Sequence, residues 1–132
     1  MLDLIALDGA DRLPAGAGLA SVDPDVALAD QMLAAARAAG RSMPEPVADF
    51  AIDAFDAEAL LDRVPRPMSR GELQLCALLI TLSAPFERLA LVDPTAGLDT
   101  RRRRAVVDLL EDLALDTSIS VASDDPLFGE RS

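Results

Sequence analysis

The segment from Arg88 to Ala122 restricts the fold more than any other part of this 132-residue chain. It begins with a compact apolar run, Arg88 to Val92, that is typical of a buried strand. After the turn at Pro94 to Leu98, Asp99 can cap a helix with one apolar face, and the run from Thr117 to Ala122 predicts a second strand. A strand, a helix and a strand in this order predict a right-handed parallel unit, with function at the carboxyl ends of its strands.

The beginning of the chain predicts a strand and then a long helix. Apolar and polar residues alternate up to the pair Asp8-Gly9, which indicates a strand followed by a turn. We expect another short strand at Gly18 to Val22. An alanine-rich helix should then run from Asp25 to Ala39, with Asp23-Pro24 as its cap and first-turn proline and Gly40 as its stop.

The middle of the chain predicts further helices. Two short acidic helical segments are expected at about 47–54 and 57–63, before prolines end them. A longer helix should begin near Ser69, because Ser69 and Glu72 fit a capping box and the apolar residues beyond them recur at helical spacing. Cys76 lies on this helix, cannot form an internal disulfide as the single cysteine, and is most simply a small core residue.

Composition excludes several classes of function. The chain has 23 acidic residues against 12 basic ones, all arginine, and its net charge of −11 repels nucleic acid. Without histidine, a zinc site would need carboxylates alone, which suit zinc poorly. The longest apolar run, Leu75 to Leu82, is too short to cross a bilayer, and Asp3 stands where a signal peptide would be basic. We therefore expect a cytoplasmic chain with no transmembrane segment.

Several short motifs follow one another in a familiar order. They are Met68-Ser69-Arg70-Gly71-Glu72, Asp93-Pro94-Thr95, Ala96-Gly97-Leu98-Asp99 and the segment Val121 to Phe128. Together they resemble the ATP-binding cassette (ABC) ATPases, in which such motifs are the signature, the Walker B strand end, the dimer-contact loop and the switch region. Asp124 stands at the position of the switch histidine, and Ala6 to Asp25 is similar to the residues through the glutamine loop, with Val22 at the glutamine.

The resemblance implies an α/β fold with a partial P-loop NTPase-like core and an α-helical subdomain. Residues 1–23 would be remnant β-strands leading to the degenerate glutamine loop, and residues 24–83 the helical subdomain with the signature-like motif. Residues 84–132 would be the core segment with the Walker B-like strand, the dimer-contact loop and the switch region. In the family, the strand before the phosphate loop lies in the same sheet, so we expect its loss to expose an edge that another chain covers.

The resemblance is incomplete where the family binds phosphate. The phosphate loop, G-x-x-x-x-G-K-[ST], should precede all of these motifs, and we expect the chain to begin after it; no lysine is present. Two alignments of the acidic pair stay open. Either Val92 replaces the magnesium-supporting aspartate and Asp93 the catalytic glutamate, or Asp93 is the metal-side aspartate and the general base is deleted. Asp93 is thus the one candidate catalytic residue, a metal site is not predicted, and we expect no hydrolysis by this chain alone.

The signature-like segment matches the family pattern more closely than the phosphate-binding motifs do. Its residues are Ser69, Arg70, Gly71 and Glu72. In the family, the signature serine and glycines contact the nucleotide bound by a second ATPase domain, so Ser69 and Gly71 can act in trans at a helix N-terminus. Arg70 can pair with a phosphate or obstruct the close approach that glycine permits. Equally, Ser69 and Glu72 can serve only as a helix cap. The resemblance implies no cofactor for the chain alone, and ATP with Mg²⁺ in a site shared with a partner.

Three further features have a functional and a structural interpretation. The loop Ala96, Gly97, Leu98 and Asp99 corresponds to the dimer-contact loop, although Asp99 is equally a simple cap. We expect Arg101 to Arg104 to be solvated. The pair Asp124-Asp125 is a switch-like or cation-binding element, or an acidic turn at the end of a strand.

These inferences predict a degenerate, non-catalytic relative of ABC ATP-binding subunits. Its partner would be a complete ABC-type ATPase subunit, a membrane permease or a second copy, to which it offers the signature face or which it regulates. It would lie in the cytoplasm or peripherally at the inner face of the membrane. One alternative is a working transport ATPase subunit whose phosphate loop comes from a partner or an upstream segment; another is a non-functional remnant.

Overall fold

The chain forms two compact units in a computed structural model that describes residues 2–14 and 16–129. The first, here the core unit, contains the described residues up to Leu19 and from Phe86 onward. The second, the helical unit, is Ala20–Pro85. Within the described residues, every helix is too short or too polar to cross a bilayer.

The core unit is built on a parallel sheet, which confirms the α/β fold class. Its strands are β1 (Leu2–Ile5), β2 (Arg88–Val92) and β3 (Ser118–Ala122), in the order β1-β3-β2. Ile5 and Val92 both pair with Ala122, so the three strands end at the same level. Helix α4 (Thr100–Leu113) connects β2 to β3 and confirms the predicted strand–helix–strand unit.

Apolar residues at alternate positions of the strands and at helical spacing on α4 form the core of this unit. On the strands, Leu91, Ile119 and Val121 are almost fully buried, and on α4 the residues Val106 and Leu110 are too. Each such side chain contributes roughly 1.5–3 kcal/mol of burial free energy. This core fixes the strands, and thereby the position of every residue that follows their carboxyl ends.

The helical unit is organised around its longest helix. Its elements are α1 (Leu28–Ala38), α2 (Pro46–Ala54), a 3₁₀ turn at Glu58–Leu60, and α3 (Arg70–Ser83). Helix α3 packs against both α1 and α2 and buries Leu75, Leu78, Leu79 and Leu82. Cys76 is buried on the same helix, which confirms its place in the core.

The strand predicted at Gly18–Val22 is wrong. Gly18 has a left-handed φ of 128° and donates its N–H to the carbonyl of Ala90 on β2. Two residues on, Ala20 donates to the side-chain oxygen of Thr81 instead of a strand carbonyl. A ladder needs repeated backbone pairing, and this segment is therefore a loop.

Two helix predictions also need correction. Helix α1 begins at Leu28 and not at Asp25, because the Gln31 side chain bonds the carbonyls of Asp23 and Val26 and holds residues 23–26 as a turn. The predicted helix at 57–63 is only the 3₁₀ turn, since the preceding Asp56 is left-handed at φ 53°. The predicted stop at Gly40, with φ 79°, is confirmed.

Candidate functional site

Three turns meet at the carboxyl edge of the sheet because the three strands end together. They begin after Ile5, Val92 and Ala122, and Ser123 N–H donates to the carbonyl of Ile5 at 3.0 Å. Ligands of open parallel sheets bind at this edge. The structure thus brings Asp93 and Asp124 to one edge, together with the turn at Leu7–Arg12, which belongs to the segment that resembles the residues through the glutamine loop.

Asp93 directly follows β2 in a left-handed conformation. Its φ is 50°, which aspartate tolerates better than most residues, and its N–H donates to the carbonyl of Ala122 at 2.7 Å. The backbone therefore turns sharply away from the sheet at this residue. This geometry positions Asp93 at the strand end but leaves open which of the two family carboxylates it represents.

The dimer-contact-like loop continues this turn into α4. Backbone bonds from Ala96 to Asp93 and from Leu98 to Thr95 close it, and Gly97 takes a φ of 75° that favours glycine. Asp99 caps α4, since its Oδ1 accepts the N–H of Arg102 at 2.9 Å. The capping role of Asp99 is confirmed, while its role in dimer contact stays a prediction.

Asp125 is hydrogen-bonded through both of its carboxylate oxygens at this edge. Arg103 donates Nε to Oδ2 at 3.0 Å and Nη2 to Oδ1 at 2.8 Å, and Thr95 donates its hydroxyl to Oδ2 at 2.7 Å. Leu127 N–H also donates to Oδ1, and only 6% of the Asp125 side chain is exposed. The Arg103 bonds lower the pKa of Asp125 to about 2, with help from Leu127 and Thr95 and against the effect of burial.

This network corrects one prediction and adds residues that the sequence analysis missed. Arg103 is not simply solvated, because its guanidinium is paired with Asp125 across 22 residues of sequence. Thr95 reaches the same carboxylate across 30 residues. The sequence signal for Thr95 and Asp125 was that each lies just after a strand, at strand ends that a parallel unit brings together. Arg103 lies further on, in α4, and had no such signal.

Asp124, at the switch position, faces solvent and contacts the turn after β1. Its Oδ1 accepts the N–H of Leu7 at 3.0 Å. The Asp124 carboxylate therefore already accepts a backbone N–H at the edge where an anionic ligand would need such donors. Among residues 2–14 and 16–129, no group of three or more acidic or cysteine side chains is close enough to hold a metal ion.

The signature-like segment lies at the start of α3 in the helical unit. Ser69 Oγ accepts the N–H of Glu72 at 3.2 Å, and Glu72 Oε1 accepts the N–H of Ser69 at 3.1 Å. The predicted capping box is thus confirmed. Arg70 is exposed and Gly71 half-buried, while Arg63 lies 3.8 Å from the Glu72 carboxylate.

Met68 and Cys76 pack against each other beneath the start of α3. The Cys76 thiol lies 3.4 Å from the Met68 sulfur, and both residues are buried. Burial, reinforced by the nearby Glu72 charge, raises the pKa of the Cys76 thiol to about 11. This cysteine is therefore an inert core residue at neutral pH.

Comparison with known sequences relates the chain to ABC ATP-binding proteins, although no family model matches it. It is 40% identical over 57 residues to the energy-coupling factor transporter ATP-binding protein EcfA2 of Bacillus subtilis, which is 43% of this chain and 21% of the relative. It is 38% identical over 71 residues to the molybdenum import ATP-binding protein ModC of Salmonella typhimurium, 54% of this chain and 20% of the relative. The chain thus spans about a fifth of the length of the curated relatives it matches.

Solved structures show the same fold. A dimeric bacterial ABC transporter cassette matches with a TM-score of 0.66 at 18% identity, over 80% of this chain and 49% of that one. An ABC transporter ATP-binding protein from Pyrococcus furiosus matches with a TM-score of 0.65 at 19% identity, over 94% and 57%. The fold is that of an ABC ATP-binding domain, and the sequence matches agree with it. The resemblance to this family is confirmed, and the chain aligns with part of such domains.

Proposed function

We propose that this chain is a non-hydrolysing relative of ABC transporter ATP-binding subunits that works with a complete ABC-type ATPase subunit. The start of α3 contacts the nucleotide that the complete subunit holds, so that ATP and Mg²⁺ belong to a shared site. The complex is cytoplasmic or peripheral to the membrane through a permease. The observation that carries this proposal is the exposed pair Ser69 and Arg70 at the N-terminus of a 14-residue helix.

The Ser69 hydroxyl can still donate a hydrogen bond to a phosphate oxygen. Its oxygen accepts the capping bond from the N–H of Glu72, and its own hydrogen can be donated in addition. The helix N-terminus adds partial positive charge at the same place. A phosphate that a partner brings to this surface would contact both the hydroxyl donor and the positive end of the helix.

Arg70 is unusual for the first turn of a helix. A cation there opposes the helix dipole, so it gains nothing from the helix itself. Within residues 2–14 and 16–129, Arg70 also forms no ion pair. An arginine that is exposed and unpaired at a helix N-terminus is well suited to a phosphate from another chain.

The sheet edge supports the other half of the proposal, the lack of hydrolysis by this chain alone. Asp125 is committed to Arg103 and Thr95, and Asp124 occupies the Leu7 amide. Phosphoryl transfer depends on cations and donors placed around the γ-phosphate, and the chain contains neither lysine nor histidine to supply them there. Carboxylates dominate this edge and repel the triphosphate.

The test is ATP turnover by a complete ABC-type ATP-binding subunit from the same cell, measured with and without this chain. We expect a change in turnover that Ser69→Ala and Arg70→Ala each abolish. Arg37→Ala, which removes an exposed arginine at the other end of a helix in the same unit, should leave the effect intact. Identical turnover with and without the chain would refute the proposal.

A second assay separates this proposal from a working ATPase subunit. The chain alone should release no phosphate from Mg-ATP, and Asp93→Asn should leave the turnover of the complex unchanged. Loss of turnover in the Asp93→Asn complex would instead assign catalysis to this chain.

A further inference from the structure

The start of α2 carries a groove and an apolar surface that the nucleotide-linked proposal does not use. The groove, of about 250 Å³, is lined by Arg41, Ser42, Met43, Pro44, Glu45, Pro46 and Asp49. Met43 is 65% exposed, and Phe50, one helical turn beyond Pro46, is 61% exposed. We call Met43, Pro46 and Phe50, with this groove, the α2 surface.

Acidic side chains border the α2 surface. From Ser42 to Asp62 the chain contains six acidic residues and no basic one. Asp49 and Asp53 are exposed and lie four residues apart on α2, where Asp49 directly precedes Phe50 and Asp53 follows it by three residues. Arg41 also lines the groove, but it is already 3.9 Å from Glu45 and therefore does little to neutralise this border.

The charge determines which occupant fits. A second copy of this chain, with its net charge of −11, would bring like charge to like charge. Nucleic acids and anionic membranes are repelled for the same reason. A cationic segment with apolar side chains would gain both from the acidic border and from burying Met43 and Phe50.

We propose that the α2 surface is a docking site for a basic amphipathic helix of a partner protein. Apolar residues of that helix contact Met43, Pro46 and Phe50, and its arginines or lysines face Asp49 and Asp53. The proposal does not depend on the nucleotide-linked function, because it uses neither Ser69 nor Arg70 and requires no ATP.

The test is a fluorescence anisotropy titration with three labelled helical peptides of about 15 residues, long enough to be helical when bound. The first has leucines on one face and arginines beside them. The second replaces the arginines by glutamates, and the third keeps the arginines but replaces the leucines by serines. We expect the first to bind at least about tenfold more tightly than either of the others.

Variants of the protein locate the binding. Phe50→Ser and the double substitution Asp49→Arg with Asp53→Arg should each weaken the first peptide roughly tenfold. Leu115→Ser is the apolar control, since Leu115 is 80% exposed and lies in the core unit, and Asp116→Arg is the charge control. Circular dichroism melts should be unaltered, because every changed side chain is exposed.

Either of two results would overturn the proposal. Equal binding of the arginine peptides with and without leucines would mean that only the net charge attracts them. Equal loss in the control and α2 variants, or no binding of the first peptide, would show that the α2 surface is not a docking site for such a helix.

Discussion

The ion pair between Asp125 and Arg103 should make a measurable contribution to the stability of the core unit. Its carboxylate is 6% exposed and its guanidinium 29% exposed, and two parallel bonds of 3.0 and 2.8 Å join them. The pKa of Asp125 falls from 3.8 to about 2, and each unit is about 1.4 kcal/mol, so the charged form stabilises the fold by about 2 kcal/mol. We expect Asp125→Asn to lower the free energy of unfolding by a similar amount at neutral pH.

The lowered pKa of Asp125 determines how its contribution to the free energy of unfolding changes with pH. A carboxyl group whose pKa is depressed in the folded state adds stability above its unfolded pKa of about 3.8, and loses it as pH falls through the folded value of about 2. The difference in unfolding free energy between the native chain and Asp125→Asn should therefore be constant above about pH 5 and shrink between about pH 4 and pH 2. Taking the difference removes the contribution of the other carboxylates.

Urea unfolding followed by far-ultraviolet circular dichroism is the suitable assay, because the chain has neither tryptophan nor tyrosine for fluorescence. Arg103→Leu and the double variant complete a thermodynamic cycle whose coupling energy should be about 1–2 kcal/mol. A coupling energy near zero would refute the reasoning. So would a stability difference that does not change down to about pH 2.

Three further substitutions test the remaining structural assignments. Ser69→Ala removes the cap of α3 and should cost about 1 kcal/mol in urea unfolding, whereas Ser69→Thr should retain most of it; equal losses would contradict the capping box. Arg66→Ala breaks a 2.7 Å pair with Asp25 that is 64% exposed on both sides, and water screens it, so the unfolding midpoint should not move measurably. Cys76 should not react with a thiol-specific reagent at neutral pH in the folded chain, because burial raises its pKa to about 11, and should react promptly in urea; rapid native-state reaction would show that the Met68–Cys76 contact opens.

Local signals in the sequence predicted the elements whose stabilisation is local. The start of α3 follows from Ser69 and Glu72, three residues apart, and the start of α4 from Asp99. Strands β2 and β3 follow from short apolar runs that the parallel unit buries. At the two helix starts, the residues that stabilise the element are its own neighbours, so a pattern read along the chain is sufficient. Strands β2 and β3 are stabilised by pairing with each other, and their apolar runs indicate only that they are buried.

The errors occur where residues distant in sequence decide the structure. Gly18 is held by Ala90 on β2 rather than by a ladder. The turn before α1 is the exception, because the Gln31 side chain that holds it is only five and eight residues from its partners Val26 and Asp23. Arg103 looked like a solvated member of an arginine run because Asp125, its partner, lies 22 residues away. Propensity and spacing do not contain such pairings, which depend on how the strands and helices pack.

The two parts of the candidate machinery differ in what their side chains are already bonded to. At the sheet edge, the carboxylates of Asp124 and Asp125 hold neighbouring turns in place. At the start of α3, by contrast, Ser69 retains a donor, and Arg70 has no ion-pair partner among the described residues. An exposed arginine gains little from a phosphate in water, but the same contact is much stronger once a second protein surface excludes water around it. The proposal therefore predicts weak nucleotide binding by the isolated chain and a strong dependence on Arg70 only within a complex, a contrast that a simple helix cap would not produce.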